Sequence, residues 1–272
     1  NDNTYTATYT VVEGNTDRAS GASDFISVVL SDGENTNSAY TTLAESGGAV
    51  VIDANSPAAT TTVSVGTETI GVGDTADLTI TASETGLTCS ACTMNSETLS
   101  GWTDNNDNTY TATYTVVEGN TDRASGASNF ISLVLSDAAG NTNAAFTTLT
   151  ESGGDLVIDA NSPAATTTVS VGTDTIGVGD TADLTITASE TGLTCSACTM
   201  NSETLSGWTD NNDNTYTATY TVVEGNTDRA SGASNFISLV LSDAAGNTNA
   251  AFTTLTESGG DLVIDANTPS IT

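Results

Sequence analysis

The chain has no lysine, no histidine and no glutamine, and its only bases are Arg18, Arg123 and Arg229. Each absence closes a class of chemistry. Without histidine there is no Ser–His or Cys–His nucleophile pair. Without lysine there is no Schiff base and no Lys–Asn isopeptide crosslink, and without glutamine no Cys–Gln thioester. No glycine-rich phosphate loop stands between a strand and a helix. The carboxylates sit in turns that recur in every copy of a repeat, which suits metal binding better than a unique cleft. The expectation is a protein that is not an enzyme. Clusters of Lys and Arg, which nucleic acid and anionic lipid require, are missing, so neither is an expected partner. No apolar run could span a membrane and no signal peptide is visible. No Asn-x-Ser/Thr acceptor occurs, although the abundant Ser and Thr leave O-glycosylation open.

What is present is repetition. The segment Asp53-Ala54-Asn55-Ser56-Pro57 returns as Asp159-Ala160-Asn161-Ser162-Pro163 and as Asp265-Ala266-Asn267-Thr268-Pro269, every 106 residues. Residues 57–162 and 163–268 differ only at Glu68 against Asp174 and Ser162 against Thr268. Residues 1–56 match the C-terminal half of a unit, and 269–272 are the start of the next, so the chain reads as a window on a longer array. Each full unit is large enough for its own core. Identical neighbours in tandem suit a spacer or fibre, because every unit does the same job. With 34 acids against 3 bases, the formal net charge of −31 favours divalent cations or a salty medium, or simply keeps a large fibre in solution.

Within residues 57–162 the apolar pattern has a period of two. Leu78, Ile80 and Ala82 alternate with threonines over Thr75–Ala82, and Tyr110, Ala112, Tyr114 and Val116 do so over Asn108–Val117. Further strands are predicted at Thr61–Val65, Cys92–Met94, Thr98–Trp102, Asn129–Leu135 and Ala144–Ile158, the last interrupted by Ser152-Gly153-Gly154. No segment has helical periodicity. About seven short strands separated by Gly, Asn, Asp and Ser turns predict an all-β fold of tandem immunoglobulin-like β-sandwich domains in an extended array. Tyr110 lies on the buried face by alternation. It and Trp102 are therefore expected in the core rather than on a carbohydrate platform.

Several motifs, in order, carry a resemblance. They are Ile70-Gly71-Val72-Gly73-Asp74, Ala82-Ser83-Glu84, Thr98-Leu99-Ser100-Gly101-Trp102, Tyr110-Thr111-Ala112-Thr113-Tyr114, Ser136-Asp137-Ala138-Ala139-Gly140-Asn141 and the closing Ile158-Asp159-Ala160-Asn161-Ser162-Pro163. The unit resembles the bacterial immunoglobulin-like repeats of giant surface adhesins. That resemblance implies tandem extender domains on secreted or surface proteins, commonly with calcium at their junctions. The cysteine pairs are not part of that pattern.

Sandwich topology turns the turn residues into candidate ligands. With strands named A to G, the B–C, D–E and F–G turns lie at the end where the chain enters. They carry Glu84, then Asp104 and Asp107, then Asp137 and Asn141, and the linker adds Asp53 and Asn55. Glu13 and Asp17 of the preceding E–F turn face them. The second junction gathers Asp159, Asn161, Glu190, Asp210, Asp213, Asp243 and Asn247, faced by Glu118 and Asp122. Asp265 and Asn267 begin a third. Calcium takes six to eight oxygens, which Asp, Asn and turn carbonyls supply. The alternative is that these residues are solvated turn formers. Arg123 and Arg229, in E–F turns, either reach acids of the next unit or stay solvated.

Cys89-Ser90-Ala91-Cys92 and Cys195-Ser196-Ala197-Cys198 fall in the predicted B–C region. Zinc would need more ligands than two cysteines per unit, and a redox motif would need a helix. A local disulfide pinning the loop fits an extracellular compartment, with inter-chain pairing as the competitor. The expected function is structural, as a calcium-stiffened stalk or the backbone of an extracellular filament at the cell surface. Partners would be neighbouring repeats, copies of itself, or a cell-surface or matrix glycan. The alternatives are a surface-layer lattice protein and a carbohydrate- or ligand-binding module.

Overall fold

A computed structural model describes residues 3–23, 25–58, 63–65, 69–127, 130–151, 154–164, 169–171, 175–233, 236–257 and 260–271. Among them there is no helix, hence none long and apolar enough to cross a membrane. The first full repeat contains β1 (Val63–Val65), β2 (Thr69–Ile70), β3 (Thr75–Thr81), β4 (Thr88–Met94), β5 (Glu97–Thr98), β6 (Ser100–Asp104), β7 (Thr109–Thr115), β8 (Ile131–Ser136), β9 (Thr150–Glu151) and β10 (Val157–Ile158). The second repeats this order as β11 (Val169–Val171), β12 (Thr175–Gly177), β13 (Thr181–Thr187), β14 (Thr194–Met200), β15 (Glu203–Thr204), β16 (Ser206–Asp210), β17 (Thr215–Thr221), β18 (Ile237–Ser242), β19 (Thr256–Glu257) and β20 (Val263–Asp265). Thr61, Thr62, Asn129, Ser152 and Gly153, which the sequence places in or beside strands, lie outside the described residues.

In each repeat one sheet runs in the order β6-β7-β3-β1-β9, or β16-β17-β13-β11-β19, and the other β5-β4-β8, or β15-β14-β18. A parallel pair, β2 with β10 or β12 with β20, forms a separate two-stranded sheet. This is the D–E–B–A sheet facing C–F, with the last strand returning beside the first, and it makes each repeat an immunoglobulin-like sandwich. The alternation read from the sequence is the alternation of burial. Leu78 and Ile80 of β3, Tyr110 and Tyr114 of β7, and Leu133 and Leu135 of β8 all point inward and are fully buried. Each such side chain contributes roughly 1.5–3 kcal/mol. Gly101, at φ 66°, takes the left-handed conformation inside the bulge where β6 shifts register on β7.

Two compact units emerge from the packing. One comprises Asn1–Val65, Asp77–Tyr114 and Ser128–Thr150, the other Gly66–Ala76, Thr115–Ala127 and Glu151–Thr272. This grouping keeps each linker with the segments that hold it. Among the described residues of 3–58, pairing is through isolated bridges, Arg18 with Ile52, Val28 with Tyr40 and Ser31 with Thr36. Tyr5 and Tyr9, counterparts of the fully buried Tyr110 and Tyr114, are 81% and 62% exposed. The strands that cover the latter pair, β3 and β4, have no counterpart in residues 1–56.

Two expectations need correction. The strand that follows β3 begins at Thr88 rather than Cys92. Both cysteines of each pair therefore lie inside a strand, not in the B–C loop. Cys89 is bonded to Cys92, and Cys195 to Cys198. Each disulfide spans the bulge where the register on the neighbouring strand shifts, between Cys89 and Ala91 and between Cys195 and Ala197. Alternation fails at an added residue, which is why the strand start was hidden. The arginines also differ from both readings. Arg123 is buried in its own repeat, bonded to both carboxylate oxygens of Glu151 (2.8 and 3.0 Å) and to the carbonyls of Leu156 and Ala127. Arg229 does the same with Glu257, Leu262 and Ala233.

Candidate functional site

The linkers are hydrogen-bonded to the turns beside them. At the second junction, Asp122 Oδ1 accepts from Ala160 N (2.9 Å) and Asn161 Nδ2 (2.7 Å). Glu118 accepts from Ser162 N (3.1 Å) and Ser162 Oγ (2.6 Å), and Gly119 N donates to Ala160 O (2.8 Å). The first junction repeats the pattern. Asp17 holds Ala54 N and Asn55 Nδ2, and Glu13 holds Ser56. The third linker has Asp228 on Ala266 N and Asn267 Nδ2, with Glu224 on Thr268 N. The alanine at the centre of each linker is buried. The acids of the E–F turn thus satisfy linker donors that would otherwise need water.

From the other side the F–G turn reaches the same linker. Asn141 Nδ2 donates to Asp53 O (3.2 Å) and Asn247 Nδ2 to Asp159 O (3.1 Å). Each asparagine is oriented by the aspartate opening its turn. Asp137 Oδ1 accepts from Ala139 N and Asn141 N, and Oδ2 from Asn141 Nδ2. Burial alone would push the Asp137 carboxyl up, but these hydrogen bonds to its charged form outweigh it and hold it below the ordinary value. One contact lies outside anything expected. Asn247 Oδ1 accepts from Val72 N at 2.5 Å and rests against Gly71. No periodicity or turn rule points at a glycine in an early turn as a partner for a distant asparagine.

Carboxylates crowd both junctions. Burial raises the Glu84 carboxyl, and the charges of Asp137, Asp53 and Asp17 raise it further. Glu190 is raised by burial and then by Asp243, Asp159 and Asp122. Asp159 is raised by burial with added repulsion from Asp243, Asp122 and Glu118, against a hydrogen bond from Asn161 N. Linker, B–C and F–G acids of the predicted set are therefore within electrostatic reach of one another and of the E–F acids.

The D–E acids are engaged elsewhere. Asp104 accepts from Gly86 N (2.7 Å) and Asn106 N (2.8 Å). Asp107 accepts from Thr109 Oγ1 and N, which holds its carboxyl below the usual range. Asp210 and Asp213 repeat these roles with Gly192, Asn212 and Thr215. Asp53, Asp159 and Asp265 each cap the amide of the linker asparagine two residues on, at 3.4 Å. Among the described residues, no three Asp, Glu, His or Cys side chains are spaced to ligate one metal ion.

The aromatic pair is structural. Trp102 stacks on Tyr110 with ring centroids 4.9 Å apart, and its indole N–H donates to Leu87 O (3.2 Å). Tyr110 Oη donates to Glu84 O (2.9 Å) and accepts from Leu87 N (3.0 Å). The B–C turn carrying Glu84 is thereby fastened to the core.

No family model matches the sequence, and no curated protein matches it. Among solved structures the chain is similar to a chimeric titin Z1Z2 carrying an exogenous decorin peptide, at 13% identity, 77% of this chain, 96% of that one and a TM-score of 0.23. It is similar to the I9–I11 tandem from titin at 11% identity, 75% of this chain, 65% of that one and a TM-score of 0.26. It is also similar to the tandem Ig repeats of Dlar at 13% identity, 77% of this chain, 98% of that one and a TM-score of 0.21. The immunoglobulin-like assignment itself rests on the strand order.

Proposed function

We propose that the chain is a structural, non-enzymatic extracellular repeat protein. It would be the calcium-stiffened stalk of a surface adhesin or the backbone of an extracellular filament. The observation that carries this reading is the junction, whose linker at residues 53–57 and again at 159–163 is hydrogen-bonded from both sides. A linker so held resists hinging, and resistance to hinging is what a stalk needs. Short-range disulfides suit an oxidising compartment.

Calcium enters through the crowded acids. The donor set fits it in kind, with carboxylates, an amide oxygen and turn carbonyls. Glu84, Asp53 and Asp137 with Asp17 would hold it at the first junction. Glu190, Asp159 and Asp243 with Asp122 would hold it at the second. The side chains stand too far apart to ligate as they are, so binding has to draw them in. The ion supplies charge neutralisation at carboxylates that otherwise repel one another. Neutralising Glu190 and Asp159 relieves the repulsion that raises both. A cation that binds only the folded junction stabilises it by about 2.7 kcal/mol at a hundred times its dissociation constant. The test is thermal melting of the whole chain in millimolar calcium, in millimolar magnesium and in excess EDTA. The expected result is a rise of about 10 °C or more with calcium alone. Identical melting in all three removes the ion from the reading.

A further inference from the structure

The turn Ile-Gly-Val-Gly-Asp occurs at residues 70–74 and again at 176–180, in flanking sequence that differs nearby only at Glu68 against Asp174. The two copies have different surroundings. At the first, Gly71 is buried and Asn247 of the following repeat lies on it. A Cβ built on Gly71 would stand 2.4 Å from Asn247 Oδ1 and 3.0 Å from Ala245 O. At the second, a Cβ on Gly177 would meet nothing closer than 3.8 Å, and Val178 is exposed. The requirement for glycine therefore comes from the neighbouring repeat and not from the turn itself, since neither glycine has a positive φ.

The ligand side shows the same pairing of used and unused. Asn247 is 5% exposed and spends all its polar atoms: Oδ1 accepts from Val72 N, and Nδ2 donates to Asp159 O and to Asp243 Oδ2. Asn141 makes the two equivalent donor contacts, to Asp53 O and Asp137 Oδ2. Among the described residues nothing donates to its Oδ1. One asparagine thus joins three segments: its own F–G turn, the linker, and the preceding repeat's edge turn.

We infer that the Gly-Val turn is a docking socket and the F–G asparagine its key, so that Gly177-Val178 is built to receive the Asp-Ala-Ala-Gly-Asn turn of a further repeat of this kind. The inference rests on the tandem-array reading, but it uses no metal. The socket is a bare N–H beside a position with no side chain, which only a small polar acceptor can enter. The key is pre-oriented, because Asp243 fixes Asn247 through both its main-chain N–H and its amide. A key on one end and a socket on the other make a head-to-tail contact, which can be repeated from unit to unit along an array.

The experiment is amide hydrogen exchange on the whole chain in EDTA. Residues 69–74 and 175–180 are identical, so Val72 and Val178 share one intrinsic exchange rate. Glu68 against Asp174 lets peptides from the two sites be separated by mass. A hydrogen bond and its burial at Val72 should slow its exchange about tenfold relative to Val178. Extending the chain after Thr268 with another copy of residues 163–268 should slow Val178 to the Val72 rate. Placing Ala at the Asn247 equivalent of that added copy should leave Val178 fast. In the original chain, Asn247→Ala should bring Val72 to the Val178 rate. Gly71→Ala, on the opposite repeat, should do likewise, so a folding defect in one variant does not decide the outcome. Equal rates at Val72 and Val178 in the unmodified chain, or no slowing of Val178 on extension, would overturn the inference. Because calcium is absent throughout, failure of the metal reading leaves these results unaffected.

Discussion

Replacing Arg229 with alanine tests whether the only bases in the chain are structural. The guanidinium makes four hydrogen bonds, two to the Glu257 carboxylate and one each to the carbonyls of Leu262 and Ala233. It also lies 3.8 Å from the centre of the Phe236 ring. Arg229 is 4% and Glu257 15% exposed. Truncation leaves a nearly buried carboxylate whose remaining support is Leu262 N. Breaking a buried pair by removing one partner costs roughly 3–5 kcal/mol. The partial exposure of Glu257 argues for the lower end, about 3 kcal/mol. That is a large share of the roughly 5–15 kcal/mol available to a domain. It corresponds to a loss of about 10–25 °C in melting temperature. The assay is fluorescence melting in a Trp102→Phe background, so that Trp208 reports on residues 163–268 alone. Arg229→Lys keeps the charge but not the planar fork and should fall between. A drop under about 3 °C for the alanine variant, the size expected of a solvated ion pair, would refute the structural role.

Tyr216 Oη donates to Glu190 O and accepts from Leu193 N in the core. Tyr216→Phe strands that N–H and should cost about 1–3 kcal/mol by denaturant melting; a neutral result would mean water replaces the hydroxyl. Acidity should act on the junctions in the absence of metal. Glu84, Glu190 and Asp159 hold their protons more tightly folded than unfolded. Stability in EDTA should therefore rise as pH falls from 7 into the window just above the usual carboxylate range. It should fall again at lower pH, as Asp137, whose folded value is depressed, becomes protonated. A melting temperature flat between pH 7 and 5 in EDTA would remove the crowding argument.

Much of the sandwich was legible because its strands expose one face and bury the other. Over β3 and β7 the threonines alternate with Leu78, Ile80, Tyr110 and Tyr114, and burial follows residue by residue. The start of β4 was not legible. Cys89, Ser90, Ala91 and Cys92 carry no alternation, because the bulge places two residues against one and shifts the phase. The buried arginine was hidden for another reason. Its partners lie at Glu151 and Leu156, tens of residues along the chain, and a charged residue in a turn reads as solvated until tertiary contacts are known.

The junctions show how far identical sequence can diverge in role. Turn rules and topology bring Asp53, Glu84 and Asp137 to one end, and electrostatic coupling follows. The same rules assign Asp104 and Asp107 to that end, yet both carboxylates satisfy backbone amides, Asp107 in its own turn and Asp104 in its own turn and at Gly86 of the B–C turn. Local hydrogen bonds compete with convergence, and sequence alone does not weigh that competition. Gly71 and Gly177 sharpen the point, since every neighbour within two residues is the same and only the first is buried under an asparagine. The information that separates them lies in the adjoining repeat. A position whose side chain is forbidden only in context marks an interface, and in a tandem array such a position identifies where one unit reads the next.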